Sequence, residues 1–254
     1  FNRVMSEQIL AAMPKADQLL GKPLPVAAAA ALFDGLAAVK GKQAARQMQW
    51  LVDTPTRLKE YEALAAKLKL KLRVNLEIDV GLHRGGMMPG PDLEAALARL
   101  AKSKNLSLAG YLGYEPHLSK IPNIGGWRRR AKQGAAQAYG AALAQGRAHF
   151  TAAHIEGMVR NMAGSPTFGL YQDTALANEV AAGSALVKPS DFDMPMLKDF
   201  EPAAFIATPA LKVSQEVRLP ALEYASKMLG KPKTGTGIFI HGGYWRRFDK
   251  SYWS

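Results

Sequence analysis

The chain of 254 residues has no cysteine, which excludes disulfides and thiolate chemistry and gives no sign of a secreted, disulfide-stapled scaffold. It has no uninterrupted apolar run of about 18 residues, so the sequence argues against a membrane-crossing helix. Internal repeats are absent, and the only biased stretch is the alanine run at 27–31. Acidic residues are scarce: 21 Asp and Glu against 33 Lys and Arg leave a formal charge of +12. Such a surplus suits an anionic partner, whether nucleic acid, acidic membrane or phosphorylated ligand. The dense basic cluster Trp127-Arg-Arg-Arg-Ala-Lys132 comes without a nucleic-acid-binding motif, so it reads as a solvated helix face. Neither nucleic acid nor membrane is the expected partner. Histidine occurs five times, at 83, 117, 149, 154 and 241, without a close His/Asp pair or other metal-ligand spacing.

What is present is enough apolar content, 48%, to build one barrel or two small domains. The organising stretch runs from Lys71 to Gly86. Val74, Leu76, Ile78 and Val80 alternate with Asn75, Glu77 and Asp79, a strand pattern with one polar face. The strand stops at Gly81, and His83 and Arg84 follow just beyond its C-terminal end. In a parallel α/β barrel such strand ends carry the chemistry.

Around it, strands and helices alternate. Helices are expected over 6–13, 27–39 and 127–146. Strands are expected over 18–26 (with a loop), 47–52, 106–113, within 151–159, and over 176–187. Thr54 or Asp53 with Pro55 signals a helix start, with Leu58, Tyr61, Ala65 and Leu68 facing inward. Asp92 is the expected cap of a helix striped by Leu93, Ala96, Leu97 and Leu100. Past Pro189 the alternation fails: 205–213 and 236–245 read as strands without comparable helices. The expected fold class is therefore parallel α/β, with a boundary near residues 190–202 and then the start of a β-rich domain. Both termini read as cut through structure, so a fragment is expected.

Two turns suit a phosphate. Gly164-Ser-Pro-Thr167 and Gly183-Ser184 each follow a predicted strand and offer small residues, backbone N–H groups and hydroxyls. Ile240-His-Gly-Gly-Tyr-Trp245 resembles the oxyanion turn of α/β-hydrolases, but no Gly-x-Ser-x-Gly elbow accompanies it.

Six segments taken together are more specific: Leu20-Gly-Lys-Pro-Leu-Pro-Val26, Trp50-Leu-Val-Asp-Thr-Pro55, the strand and turn from Asn75 to Gly86, Gly110-Tyr-Leu-Gly-Tyr-Glu-Pro-His117, Gly164-Ser-Pro-Thr167 and Asn178-Glu-Val-Ala-Ala-Gly-Ser184. In this order they resemble the pyridoxal-phosphate enzymes of the alanine racemase-like fold (fold type III), in the branch of D-threonine aldolase and D-serine dehydratase. The resemblance implies a (β/α)8 TIM-type barrel over 1–195, lacking its first strand, with pyridoxal 5′-phosphate at its mouth, and a β domain, starting over 196–254, that completes a homodimer; a cytoplasmic location is expected. It also implies aldolase or dehydratase chemistry on a D-3-hydroxy amino acid. Arg84 inherits the place beside the cofactor's phenolic oxygen, and a guanidinium there favours the phenolate. Tyr114 falls where the family presents a tyrosine, with Tyr111 or plain core packing as the competing reading. Gly164, Ser165, Thr167, Gly183 and Ser184 carry over as phosphate ligands.

Three departures bear on this. The family's Schiff-base lysine belongs to the first barrel strand, upstream of Phe1, so the segment by itself is not expected to turn over. Lys22, in a Gly-Lys-Pro turn, is the substitute nucleophile to weigh against a structural or phosphate-facing lysine. Ala181 stands where racemases place an arginine near the ring nitrogen, which favours the lyase branch. The branch's metal ligands fall largely beyond Ser254, leaving a divalent metal undecided. The alternatives are an amino-acid racemase of the same fold and a non-catalytic pyridoxal-phosphate-binding protein.

Overall fold

Helices striped on one face follow strands covered on both, and this pattern builds most of the molecule. The structure, a computed structural model, is described for residues 3–172, 174–189, 192–205, 207–217 and 235–241. Six parallel strands run in sequence order: β1 (Gln18–Leu19), β2 (Met48–Val52), β3 (Leu72–Ile78), β4 (Leu106–Gly113), β5 (Val159–Gly164) and β6 (Glu179–Ala181). Helices α1 (Arg3–Ala12), α2 (Val26–Asp34), α3 (Ala38–Gln47), α4 (Pro55–Leu68), α5 (Pro91–Lys102), α6 (Trp127–His149) and α7 (Ala152–Gly157) fill the connections. The arrangement is a partial TIM-type barrel. An antiparallel pair, β7 (Ala210–Val217) and β8 (Gly235–Ile240), follows it.

The core lies between the strands and the helices. Trp50 of β2 is fully buried between Phe33 of α2 and Tyr61 of α4, with ring centroids 5.9 Å and 5.5 Å away. Leu93, Ala96, Leu97 and Leu100, the predicted stripe of α5, are all buried. Burying one such leucine contributes roughly 1.5–3 kcal/mol, so helical spacing alone decides which face turns inward. The opposite face of the sheet carries buried polar residues as well as apolar ones. Asn75 Nδ2 donates to Gln49 Oε1 (2.7 Å), and Gln49 Nε2 donates to Asp17 Oδ2 (2.8 Å). A Cβ at Gly110 would stand 2.2 Å from the Val159 carbonyl and 2.3 Å from Asn75 Oδ1, so only glycine allows β4 to sit between β3 and β5 here.

Several expectations are corrected. The helix expected over 27–39 ends at Asp34, and a second helix, α3, follows the break at Gly35. The residues of 151–157 form α7 rather than a strand, because the Thr151 hydroxyl accepts the His154 N–H (3.2 Å) and caps a helical turn. Gly90, not Asp92, occupies the cap of α5, with Pro91 at its first position and Asp92 within the first turn. The strand expected over 176–187 shrinks to β6, after which Gly183–Leu186 curls into a 3-10 turn. Strand β7 begins at Ala210, not 205, and the part of 236–245 beyond His241 lies outside the described residues. Thr54 does cap α4, accepting the Arg57 N–H (3.2 Å) before Pro55.

Between the two sheets, 192–203 is tied to the parallel unit. Leu197 is buried, Lys188 Nζ donates to the Phe200 carbonyl (2.5 Å), and Phe168 meets Phe200 edge-on at 6.0 Å. No helix among the described residues is long and apolar enough to cross a membrane.

Candidate active site

One cleft of about 380 Å³ opens where the parallel strands end, within the range of roughly 300–1,000 Å³ usual for small-molecule sites. Its lining includes Lys22, Arg84, Tyr114, Gly164, Ser165, Gly183 and Ser184. Of the seven predicted site residues only Thr167 is missing from that wall. A depression of similar volume lies between α4 and α5, but Arg99 and Glu62 there neutralise each other at 2.6 Å, away from the strand ends.

The Arg84 turn is built by Asp79. Its carboxylate accepts the N–H of Gly81 (2.9 Å), the N–H of His83 (3.1 Å) and the His83 ring Nδ1 (2.8 Å). Sequence spacing gave no hint of a close His/Asp pair, and this is one. Burial pushes the Asp79 carboxyl up, but the Gly81 N–H, the His83 ring and the His83 N–H outweigh it and hold it below the usual range. His83 adopts φ 53, and Gly86 (φ 92) lies so close that a Cβ would stand 2.9 Å from the Asp79 nitrogen.

The turn leaves Arg84 exposed, its guanidinium 5.1 Å from the centre of the Tyr114 ring. Among the described residues no carboxylate lies within ion-pair distance of it, so pairing with Asp79 or Glu77 as mere scaffold is not what the structure shows. Glu77 sits at the end of β3, where burial raises its pKa, reinforced by Asp53 and opposed by Arg84. Tyr114 rather than Tyr111 faces the cleft. Tyr111 is fully buried and its hydroxyl stands where a side chain on Gly146 of α6 would fall (2.6 Å). Burial raises the Tyr114 pKa, so its phenol holds its proton.

Opposite Arg84 lie the two glycine–serine corners, and they are bonded to each other. The Ala185 N–H donates to Ser165 Oγ at 2.8 Å, which leaves the Ser165 hydroxyl proton to donate elsewhere. The Gly164 N–H is not available to a ligand, because it donates to Thr167 Oγ1 (3.3 Å) inside the turn. Thr167 is fully buried behind that turn. A Cβ on Gly164 would come 2.5 Å from Tyr114 Cε2, so the glycine lets the edge of the tyrosine ring press against the corner. Gly183 meets nothing within 4 Å and borders open space.

Lys22 also lines the cleft, on a loop held by Tyr61 Oη and Arg57 Nη1, which both donate to the Leu24 carbonyl (3.0 and 3.2 Å). At the floor, Asn161 of β5 donates from Nδ2 to Glu179 Oε1 (2.7 Å), while its buried Oδ1 has no partner. Sequence reading did not single out Asn161; its β register opposite Glu179 and Leu112 was the available signal.

Two other histidines serve the scaffold. His149 pairs with Glu94 (2.5 Å), and His154 stacks on Phe150 at 5.0 Å while its Nε2 meets the Leu108 carbonyl (3.0 Å). Among the described residues no group of three His, Cys, Asp or Glu side chains is placed to hold a metal ion.

Among solved structures, D-threonine aldolase from Filomicrobium marinum is similar at TM-score 0.64 and 18% identity, over 94% of this chain and 66% of that one. D-threo-3-hydroxyaspartate dehydratase from Delftia sp. HT23 is similar at 0.51 and 19%, over 70% and 44%. Alanine racemase of Clostridium difficile 630, in complex with cycloserine, is similar at 0.54 and 14%, over 71% and 44%. The chain thus spans from under half to about two thirds of the length of these structures. No curated protein matches it. The pattern of the family described as alanine racemase, N-terminal domain, matches residues 11–191, most of the chain. The chain therefore belongs to the alanine racemase N-terminal domain family, the fold type III family of pyridoxal-phosphate enzymes that its motifs resemble.

Proposed function

We propose that this chain forms the cofactor-binding barrel of a pyridoxal-phosphate enzyme acting on a D-3-hydroxy amino acid by aldolase or dehydratase chemistry, as a cytoplasmic homodimer. The observation carrying the reading is the convergence on one cleft of an unpaired guanidinium, a second cation at Lys22, and two hydroxyl-bearing corners bonded to each other.

The residues suit that cofactor. Among the described residues no acidic side chain lines the cleft, so its two cations suit an anion. The unpartnered Asn161 Oδ1 at the floor suits an N–H such as that of a pyridinium ring. Ser165 and Ser184 would hold the phosphate through their hydroxyls, with Gly183 giving it room. Arg84 would face the phenolic oxygen, fixed in direction by the Tyr114 ring. When bound, pyridoxal phosphate supplies an electron-withdrawing ring that accepts the electron pair released as a bond to the substrate's α-carbon breaks. Tyr114, protonated at neutral pH, would donate a hydrogen bond rather than serve as the base. Ala181, at the position where racemases carry an arginine, keeps cationic control away from the ring nitrogen and favours the lyase reading over the racemase one.

The test is an assay of the full protein with pyridoxal phosphate and D- or L-threonine and serine. Release of acetaldehyde and glycine, or of pyruvate and ammonia, from the D isomers alone is expected. Racemisation without release of either product set would refute the lyase reading. Borohydride reduction and peptide mapping would locate the covalent lysine, and a label on Lys22 would make that residue the nucleophile.

A further inference from the structure

Behind the Ser165 corner stands a carboxyl that the proposed chemistry does not use. Glu115, next in sequence to Tyr114, is fully buried. Its Oε2 accepts the Ala163 N–H at 3.3 Å, while its Oε1 is buried without a hydrogen-bond partner among the described residues. Ala163 adopts φ 67, a left-handed conformation that is disfavoured for a residue with a Cβ and persists only where the surroundings impose it. The consequence is visible in the ladder. Pairing of β5 with β6 shifts register between Met162 and Gly164, and the chain leaves the strand to enter the corner. Thr167 closes that corner twice: its N–H donates to the Gly164 carbonyl (2.9 Å) and its Oγ1 accepts the Gly164 N–H.

We propose that Glu115 is a positioning residue for the anion-binding corner. By holding Ala163 from behind, it fixes the left-handed step that aims Gly164 and Ser165 into the cleft and brings Ser165 Oγ to Ala185. Thr167 acts in the same way, as a brace of the corner and not as a ligand. The inference rests on the phosphate reading of this cleft and adds the residues that shape it.

The experiment uses calorimetric titration of the full chain with pyridoxine 5′-phosphate, which has the phosphate but no aldehyde, so no covalent lysine is needed. The phosphorus NMR signal of the bound ligand is read alongside. Glu115→Ala and Thr167→Val are expected to bind about tenfold more weakly and to shift the phosphorus resonance, as the loss of a hydrogen bond that orients the corner implies. Glu115→Gln and Thr167→Ser keep an acceptor and a hydroxyl and are expected to stay within about twofold of the parent. Thr167→Val serves if Glu115→Ala fails to fold, and a role in stability alone would leave the phosphorus resonance where it was. Parental affinity and resonance in the folded variants would overturn the inference, as would a loss in Glu115→Gln equal to that in Glu115→Ala. If the parent itself does not bind pyridoxine 5′-phosphate, the functional reading fails first.

Discussion

The two walls of the cleft solve one problem in opposite electrostatic settings. On each wall a carboxyl captures the N–H of a non-glycine residue held at positive φ: Asp79 with His83 (φ 53), Glu115 with Ala163 (φ 67). Asp79 is nearer solvent, accepts three bonds and is held below the usual carboxylate range despite its burial. Glu115 is wholly buried, and burial outweighs the Thr167 hydroxyl and the Ala163 N–H to push it above that range. A wet, ionised brace thus carries the exposed cation Arg84, and a dry brace carries the buried hydroxyl corner. Hydrogen bonds that point the right way set a turn, while dielectric decides the charge at which the carboxyl does so.

Glu115→Ala would break the comparison most strongly. It leaves a void and an unpaired N–H, costing about 2–4 kcal/mol of stability, readable in a denaturant melt. Asp79→Ala exposes its donors to water instead, and a loss of about 1–2 kcal/mol is expected in the same melt. Equal losses would remove the distinction between the walls.

The pH dependences should oppose each other. Asp79 has a folded pKa below 3.8, so its contribution is complete above that value and is lost as pH falls through the folded pKa. Glu115 has a folded pKa above 4.5, so the folded state is favoured most below 4.5 and loses that advantage as pH rises through the folded pKa. In stability profiles, Asp79→Asn should flatten the acid limb and Glu115→Gln the limb above 4.5. Smallest are the strain-relief substitutions. Ala163→Gly should raise stability by about 1 kcal/mol, whereas His83→Gly should change it by less than about 0.5 kcal/mol, because the lost Asp79 bond offsets the relieved strain.

Much of this was legible in the chain itself. β4 is bounded as alternation predicts, residues 106–113, and the Thr54-Pro55 start signal opens α4. Glycine and serine at 164–165 and 183–184 marked both corners, and Arg84 and Tyr114 reach the same cleft. Local pattern failed where short elements compete. Six residues capped by Thr151 make a helix too brief to show its period, and the helix formers of 27–39 conceal the break at Gly35. The supporting carboxyls were hidden for another reason. Glu115 meets Ala163 from 48 residues away, and no periodicity within either segment encodes that meeting. Thr167 lies in the predicted motif but is fully buried, and its Oγ1 accepts the Gly164 N–H inside the turn.

The most direct measurement is a crystal structure of the full protein soaked with pyridoxal 5′-phosphate. A single bound molecule with its phosphate within hydrogen-bonding distance of Ser165 and Ser184, and its phenolic oxygen facing the Arg84 guanidinium, is the predicted result. A cofactor bound elsewhere, or an Arg84 turned away from the same molecule that the two serines hold, would contradict it.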